Sequence, residues 1–64
     1  MTKLYECFDR DDNLKSFVLV NERGCAWMNV TCIETVKANE RLYSYDDSDS
    51  FVLRAINPVL VAEW

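Results

Sequence analysis

Apolar positions concentrate between Leu14 and Val30, where Leu-Lys-Ser-Phe-Val-Leu-Val and Cys-Ala-Trp-Met-Asn-Val flank the polar quartet Asn21-Glu22-Arg23-Gly24. This pattern predicts a β-hairpin. Asn21 suits the first position of a type I turn, and Gly24, the one glycine of the chain, supplies the positive φ that closes a short hairpin loop. The run Phe17-Val18-Leu19-Val20 is apolar on both faces, which predicts a central strand covered on one side and partly on the other. In the following strand Ala26, Met28 and Val30 form the predicted core set, leaving Trp27 for the outer face or its edge. Ahead of the hairpin, Leu4-Tyr5-Glu6-Cys7-Phe8 alternates as a first strand, with Leu4, Glu6 and Phe8 on one face and Tyr5 and Cys7 on the other. Asp9-Arg10-Asp11-Asp12-Asn13 then forms a polar loop of turn residues.

The period changes at Thr31. Thr31-Cys32-Ile33-Glu34 matches a capping box, and Cys32, Ile33, Val36 and Tyr43 share one face at helical spacing. A helix from about 32 to 44 follows. Asp46-Asp47-Ser48-Asp49-Ser50 makes a second polar loop, and Phe51 to Ile56 reads as a further strand with Phe51, Leu53 and Ala55 on one face. Asn57-Pro58 interrupts it, and Val59 to Ala62 resumes as an edge strand or packed tail. The expected fold is therefore α+β within one compact domain spanning 1–64: a three-stranded antiparallel meander, one helix and one further strand. That strand is expected to pair at an edge, beside strand one or three. The alternative is a small all-β meander or barrel, with strand three continued to Ile33 and Leu42 to Tyr45 extended.

Composition narrows the function. Half of the residues are hydrophobic and eight are aromatic, so the chain has the means to order itself. At 64 residues it is too short to enclose a substrate in a large core, which favours a binding surface over an active-site cavity. Eleven acidic against seven basic residues leave a formal charge of -4, which disfavours direct, sequence-independent binding to nucleic acid and favours basic partners. The opening Met1-Thr2-Lys3-Leu4 has no leader pattern, and no apolar run approaches a membrane span, so a cytoplasmic protein is expected. Cys7, Cys25 and Cys32 are odd in number, lack CxxC spacing and read as free core thiols in a reducing compartment.

The chain contains no histidine, and no serine or cysteine can be assigned a partnering base. A phosphate-cradling loop has too few glycines, a zinc site lacks ligands, and the first acidic loop lacks the glycine and the terminal glutamate of an EF-hand. The expectation is a protein without catalysis, metal or cofactor. The distinctive feature is that all six aspartates, Asp9, Asp11, Asp12, Asp46, Asp47 and Asp49, fall in two loops. Acidic loops also serve solubility, since Asp is a common turn residue. A hairpin followed by a returning helix puts the two clusters at opposite ends of the domain, on the order of 20 Å apart for strands of six residues. Such separated charge imitates backbone phosphates and suits a basic, nucleic-acid-binding site on another protein.

In size, charge, the Asp9 to Asp12 and Asp46 to Asp49 clusters and the strand, helix, strand order from Phe17 to Ile56, the chain resembles small acidic phage early-gene inhibitors. These include DNA mimics, anti-restriction and anti-CRISPR proteins and the T7 inhibitor of host RNA polymerase. The resemblance implies a protein-binding inhibitor, acting in the host cytoplasm on a nucleic-acid-processing enzyme or polymerase in host takeover or anti-defence. Trp27 and Trp64 join the aspartates as partner-binding candidates, because tryptophan is enriched at interface hot spots and neither falls on the core set. Trp27 also offers a face for a homodimer. The alternative class is a small nucleic-acid-binding or regulatory accessory module, resting on the dispersed Arg10, Arg23, Arg41 and Arg54.

Overall fold

The structure, a computed structural model, describes residues 1–29 and 32–64. The three predicted strands are present as β1 (Lys3–Phe8), β2 (Leu14–Asn21) and β3 (Gly24–Met28). They form an antiparallel meander, with Leu4 opposite Leu19 and Leu19 opposite Ala26 in one continuous row. A fourth strand, β4 (Val59–Glu63), lies outside β1, so the sheet order is β3-β2-β1-β4. The architecture is α+β. The predicted helix is α1 (Ile33–Asn39), extended by a 3₁₀ turn at Glu40–Leu42. Its N-cap is Cys32, one place after the threonine that the spacing nominated, with no side-chain cap bond. Val30 and Thr31, which carry one predicted core position and the predicted cap, lie outside the described residues.

The alternation along the strands divides the apolar side chains between two faces. Leu4, Leu19 and Ala26 bury against Val36 of α1, with Phe17, Met28, Ile33, Tyr43 and Trp64 around them. On the other face Cys7, Val18 and Cys25 pack with Val20, Trp27, Phe51 and Ala55. The second face is covered by an element that the pattern did not predict. Phe51 to Ile56, expected as a strand, instead contributes to a short helix, α2 (Asp49–Arg54). The turn before it explains the difference. Asp47 Oδ1 accepts the Asp49 N–H, and the Ser50 and Phe51 N–H groups reach back to the Asp47 and Ser48 carbonyls. Helical winding then sets Phe51 and Ala55 four residues apart on one side, against Trp27 and the Tyr5 ring, which lies 4.8 Å from Phe51. An edge strand would leave that second apolar face open to water.

The extra helix also sets the direction of the last strand. α1 returns along one face, α2 runs back along the other, and β4 therefore pairs antiparallel with β1, whereas the predicted Phe51 to Ile56 strand would have run the same way as β1. Between the helices the chain must pass around the β3 edge. It does so at Asp46, which exchanges both backbone hydrogen bonds with Cys25, at 2.9 and 2.7 Å. The Cys25 thiol also donates to the Asp47 carbonyl. Gly24 permits this approach: its φ is +122°, and a Cβ there would stand 1.8 Å from the Asp46 carbonyl oxygen.

Two departures concern cysteine and tryptophan. Cys7 and Cys25 are buried free thiols, but Cys32 is exposed, because α1 begins after it and turns only Ile33 and Val36 inward. Trp27 does lie on the face opposite Ala26 and Met28 and on the edge strand β3, but it is half-buried rather than open to solvent. Gly24→Ala combines left-handed strain with a backbone collision, so it is expected to destabilise the protein by about 2 kcal/mol or more. Arg23→Ala removes one exposed hydrogen bond and a stack on Tyr45, which amounts to about 1 kcal/mol or less. Urea midpoints at constant slope measure both, and equal shifts would contradict the placement of Gly24.

Candidate functional site

The candidate residues fall into four groups: an aspartate cluster at each end of the sheet, Trp27 on the α2 face and Trp64 on the α1 face. Asp9, Asp11 and Asp12 occupy the β1–β2 loop at one end. Asp9 Oδ1 accepts the N–H groups of both Asp11 and Asn13, and the Asp9 N–H donates to the Asn13 carbonyl. This side chain builds the loop. Asp11 and Asp12 are exposed, and Asp12 holds φ at +63°, a conformation that short polar side chains tolerate better than most.

Asp46, Asp47 and Asp49 lie at the opposite end, beside the β2–β3 turn, because Asp46 pairs with Cys25 at the start of β3. The length of β2 separates the two groups, roughly 25 Å at about 3.3 Å per residue. Here too some acids have local work. Asp46 pairs with Arg54 at 3.2 Å, with both side chains more than half exposed, and Asp47 caps the α2 turn. Asp49 is exposed in the first turn of α2.

The tryptophans differ from each other. Trp64 closes the α1 face: its backbone exchanges both hydrogen bonds with Thr2, its indole donates to Glu40 Oε1 at 2.8 Å, and Lys37 lies 5.2 Å from its ring centre. Tyr45 ties the same region together by accepting from Asn21 and donating to the Glu40 carbonyl. Trp27 lines a cleft of about 220 Å³ on the α2 face with Cys7, Ser16, Arg54 and Ile56. The Arg54 guanidinium lies 4.6 Å from the Trp27 ring centre. The Trp27 indole nitrogen is buried without a hydrogen-bond partner, a rare state for a donor.

No family model, curated protein or solved structure matches the chain. The site is therefore read from its chemistry. Among the described residues no group of three or more histidines, cysteines or acids is arranged to hold a metal ion, and no helix is long and apolar enough to cross a membrane. The cleft and its link to Arg54 were not visible in the pattern, because Trp27 and Arg54 meet only once α2 folds over the sheet. The spacing of Phe51 and Ala55 at i and i+4, after an Asp-Ser-Asp turn, was the available signal.

The cysteines differ in reactivity. Burial raises the Cys7 thiol above the ordinary range, partly offset by a hydrogen bond from the Ile56 backbone. The exposed Cys32 is lowered, first by a hydrogen bond with the Thr35 side chain and then by the Thr35 and Glu34 backbone, against the Glu34 charge. Thiolate is the reactive form, so Cys32 is expected to gain reactivity at lower pH than an unfolded thiol, and Cys7 only at higher pH. Iodoacetamide labelling of the native protein across a pH series, read site by site by mass spectrometry, tests this. Cys7 labelling as readily as Cys32 would contradict the burial pattern.

Proposed function

We propose that this protein is a non-enzymatic inhibitor that docks its acidic ends on a basic, nucleic-acid-binding surface of another protein, as phage-encoded inhibitors of host machinery do. One observation carries the reading: exposed Asp11 and Asp12 at one end of a rigid sheet and exposed Asp47 and Asp49 at the other. Their separation of roughly 25 Å follows from the strand length. Measured along the DNA helix axis, it corresponds to about seven base-pair steps at about 3.4 Å each. A four-stranded sheet holds that spacing without the ordering cost of a flexible acidic tail. The chain's formal charge of -4 steers it toward cationic surfaces and away from nucleic acid itself.

Asp9 and Asp47 accept their loop N–H groups at Oδ1, which asparagine retains as an amide oxygen, and the Asp46–Arg54 pair is exposed and contributes little. Replacing Asp9, Asp11 and Asp12, or Asp46, Asp47 and Asp49, by Asn therefore separates charge from fold. Each triple variant is expected to stay within about 0.5 kcal/mol per site in stability. Partner affinity is expected to fall at least tenfold, roughly 1.4 kcal/mol, and to decline steeply with salt. The measurement starts with a partner captured from lysate on the immobilised protein. Its affinity for parent and variants is then followed across a salt series, with duplex DNA as competitor. Binding that ignores salt, DNA and both variants would overturn the proposal.

A further inference from the structure

The cleft on the α2 face has the make-up of a small-molecule site, and we infer that it binds a small organic monocarboxylate with a compact apolar body. It is lined by Trp27, Cys7 and Ile56 together with Ser16 and Arg54, the two residues with polar side chains able to bond a ligand. This is the general form of a ligand pocket: apolar lining with a few convergent polar groups. Its volume is about 220 Å³. An apolar cavity of about 150 Å³ admits benzene, so a benzoate-sized body has room here.

The charge of the ligand follows from Arg54. Asp46 engages only its Nη2, at 3.2 Å, and a guanidinium offers five N–H donors in a planar fork that matches a carboxylate. The Trp27 ring centre lies 4.6 Å from the Arg54 Cζ and helps to hold the guanidinium in place. Asp46, bonded to Nη2, repels a second negative charge, which favours a monocarboxylate over a phosphate dianion. The unpartnered indole nitrogen of Trp27 is a second sign of an incomplete environment at this wall. It is closed off from solvent, so a ligand oxygen reaches it only with a small movement of the ring. The cleft touches the acidic end of the sheet through the Arg54–Asp46 pair, but the inference does not depend on the docking role proposed for the acids.

Nitrogen-15 correlation spectra of the parent protein test this, with Trp64→Phe used only to assign the two indole N–H signals. Titration with benzoate is expected to shift the Trp27 signal saturably and to leave the Trp64 signal in place. Benzamide, which has the same shape without the charge, is expected to bind at least about tenfold more weakly. Arg54→Met, which keeps an apolar stem over the ring, is expected to lose a similar factor, while Arg10→Met in the β1–β2 loop binds as the parent. The benzoate and benzamide comparison needs no variant, so it decides the question even if Arg54→Met folds poorly. Absence of a saturable shift, equal movement of both indole signals, or equal binding of benzamide would overturn the inference.

Discussion

The paired backbone hydrogen bonds between Cys25 and Asp46 hold the point where the chain leaves one face of the sheet for the other. Before it come α1 and the 3₁₀ turn on the Leu4, Leu19 and Ala26 face; after it comes α2 over Cys7, Val18 and Trp27. A chain of 64 residues has little core to spend on a thick single layer, and covering a sheet on both faces lets each strand bury side chains in both directions. The crossing is tight enough that only glycine fits at position 24, where a Cβ would overlap the Asp46 carbonyl oxygen. Gly24 therefore serves two constraints at once, the positive φ of the turn and the closeness of the crossing segment. The same contact occupies part of the β3 edge, which would otherwise present unpaired backbone to solvent.

Much of the remaining polar chemistry supports this crossing. Asn21, Arg23, Tyr45 and the carbonyls of Glu40 and Arg41 join the hairpin turn to the segment that leads into Asp46. Asp46 then pairs with Arg54, and Arg54 lies on Trp27, so the crossing point and the cleft share one chain of contacts. At the far end the Phe8 N–H donates to the Ile56 carbonyl and returns the chain to the sheet before β4. What this leaves in solvent is a set of exposed aspartates at each end, held apart by β2, and these carry the proposed inhibitory function.

Most of the sheet was legible because alternation is a local signal. Leu4 to Phe8 and Leu14 to Val20 match β1 and β2 to within a residue, and the Asn21 to Gly24 quartet marks their hairpin partner correctly. The main helix was legible from the spacing of Ile33, Val36 and Tyr43, although the chain tightens to 3₁₀ at Glu40. Phe51 to Ile56 was misread because a short apolar run fits both periods, and the choice is made by a tertiary demand, an uncovered second face. The roles of Asp9 and Asp47 were hidden for a similar reason. A loop aspartate that accepts backbone N–H groups and one that faces solvent have the same local sequence.

If the crossing at Asp46 organises the fold, the amides that form it must open only with the whole molecule. Native-state hydrogen exchange reads this directly at the N–H groups of Cys25 and Asp46. The account predicts that both exchange as slowly as the β1 and β2 core amides of Leu4 and Leu19, and that their exchange free energies fall with denaturant at the global slope. Rapid exchange at these two amides, with the core amides still protected, would show a crossing that opens locally and would contradict the account.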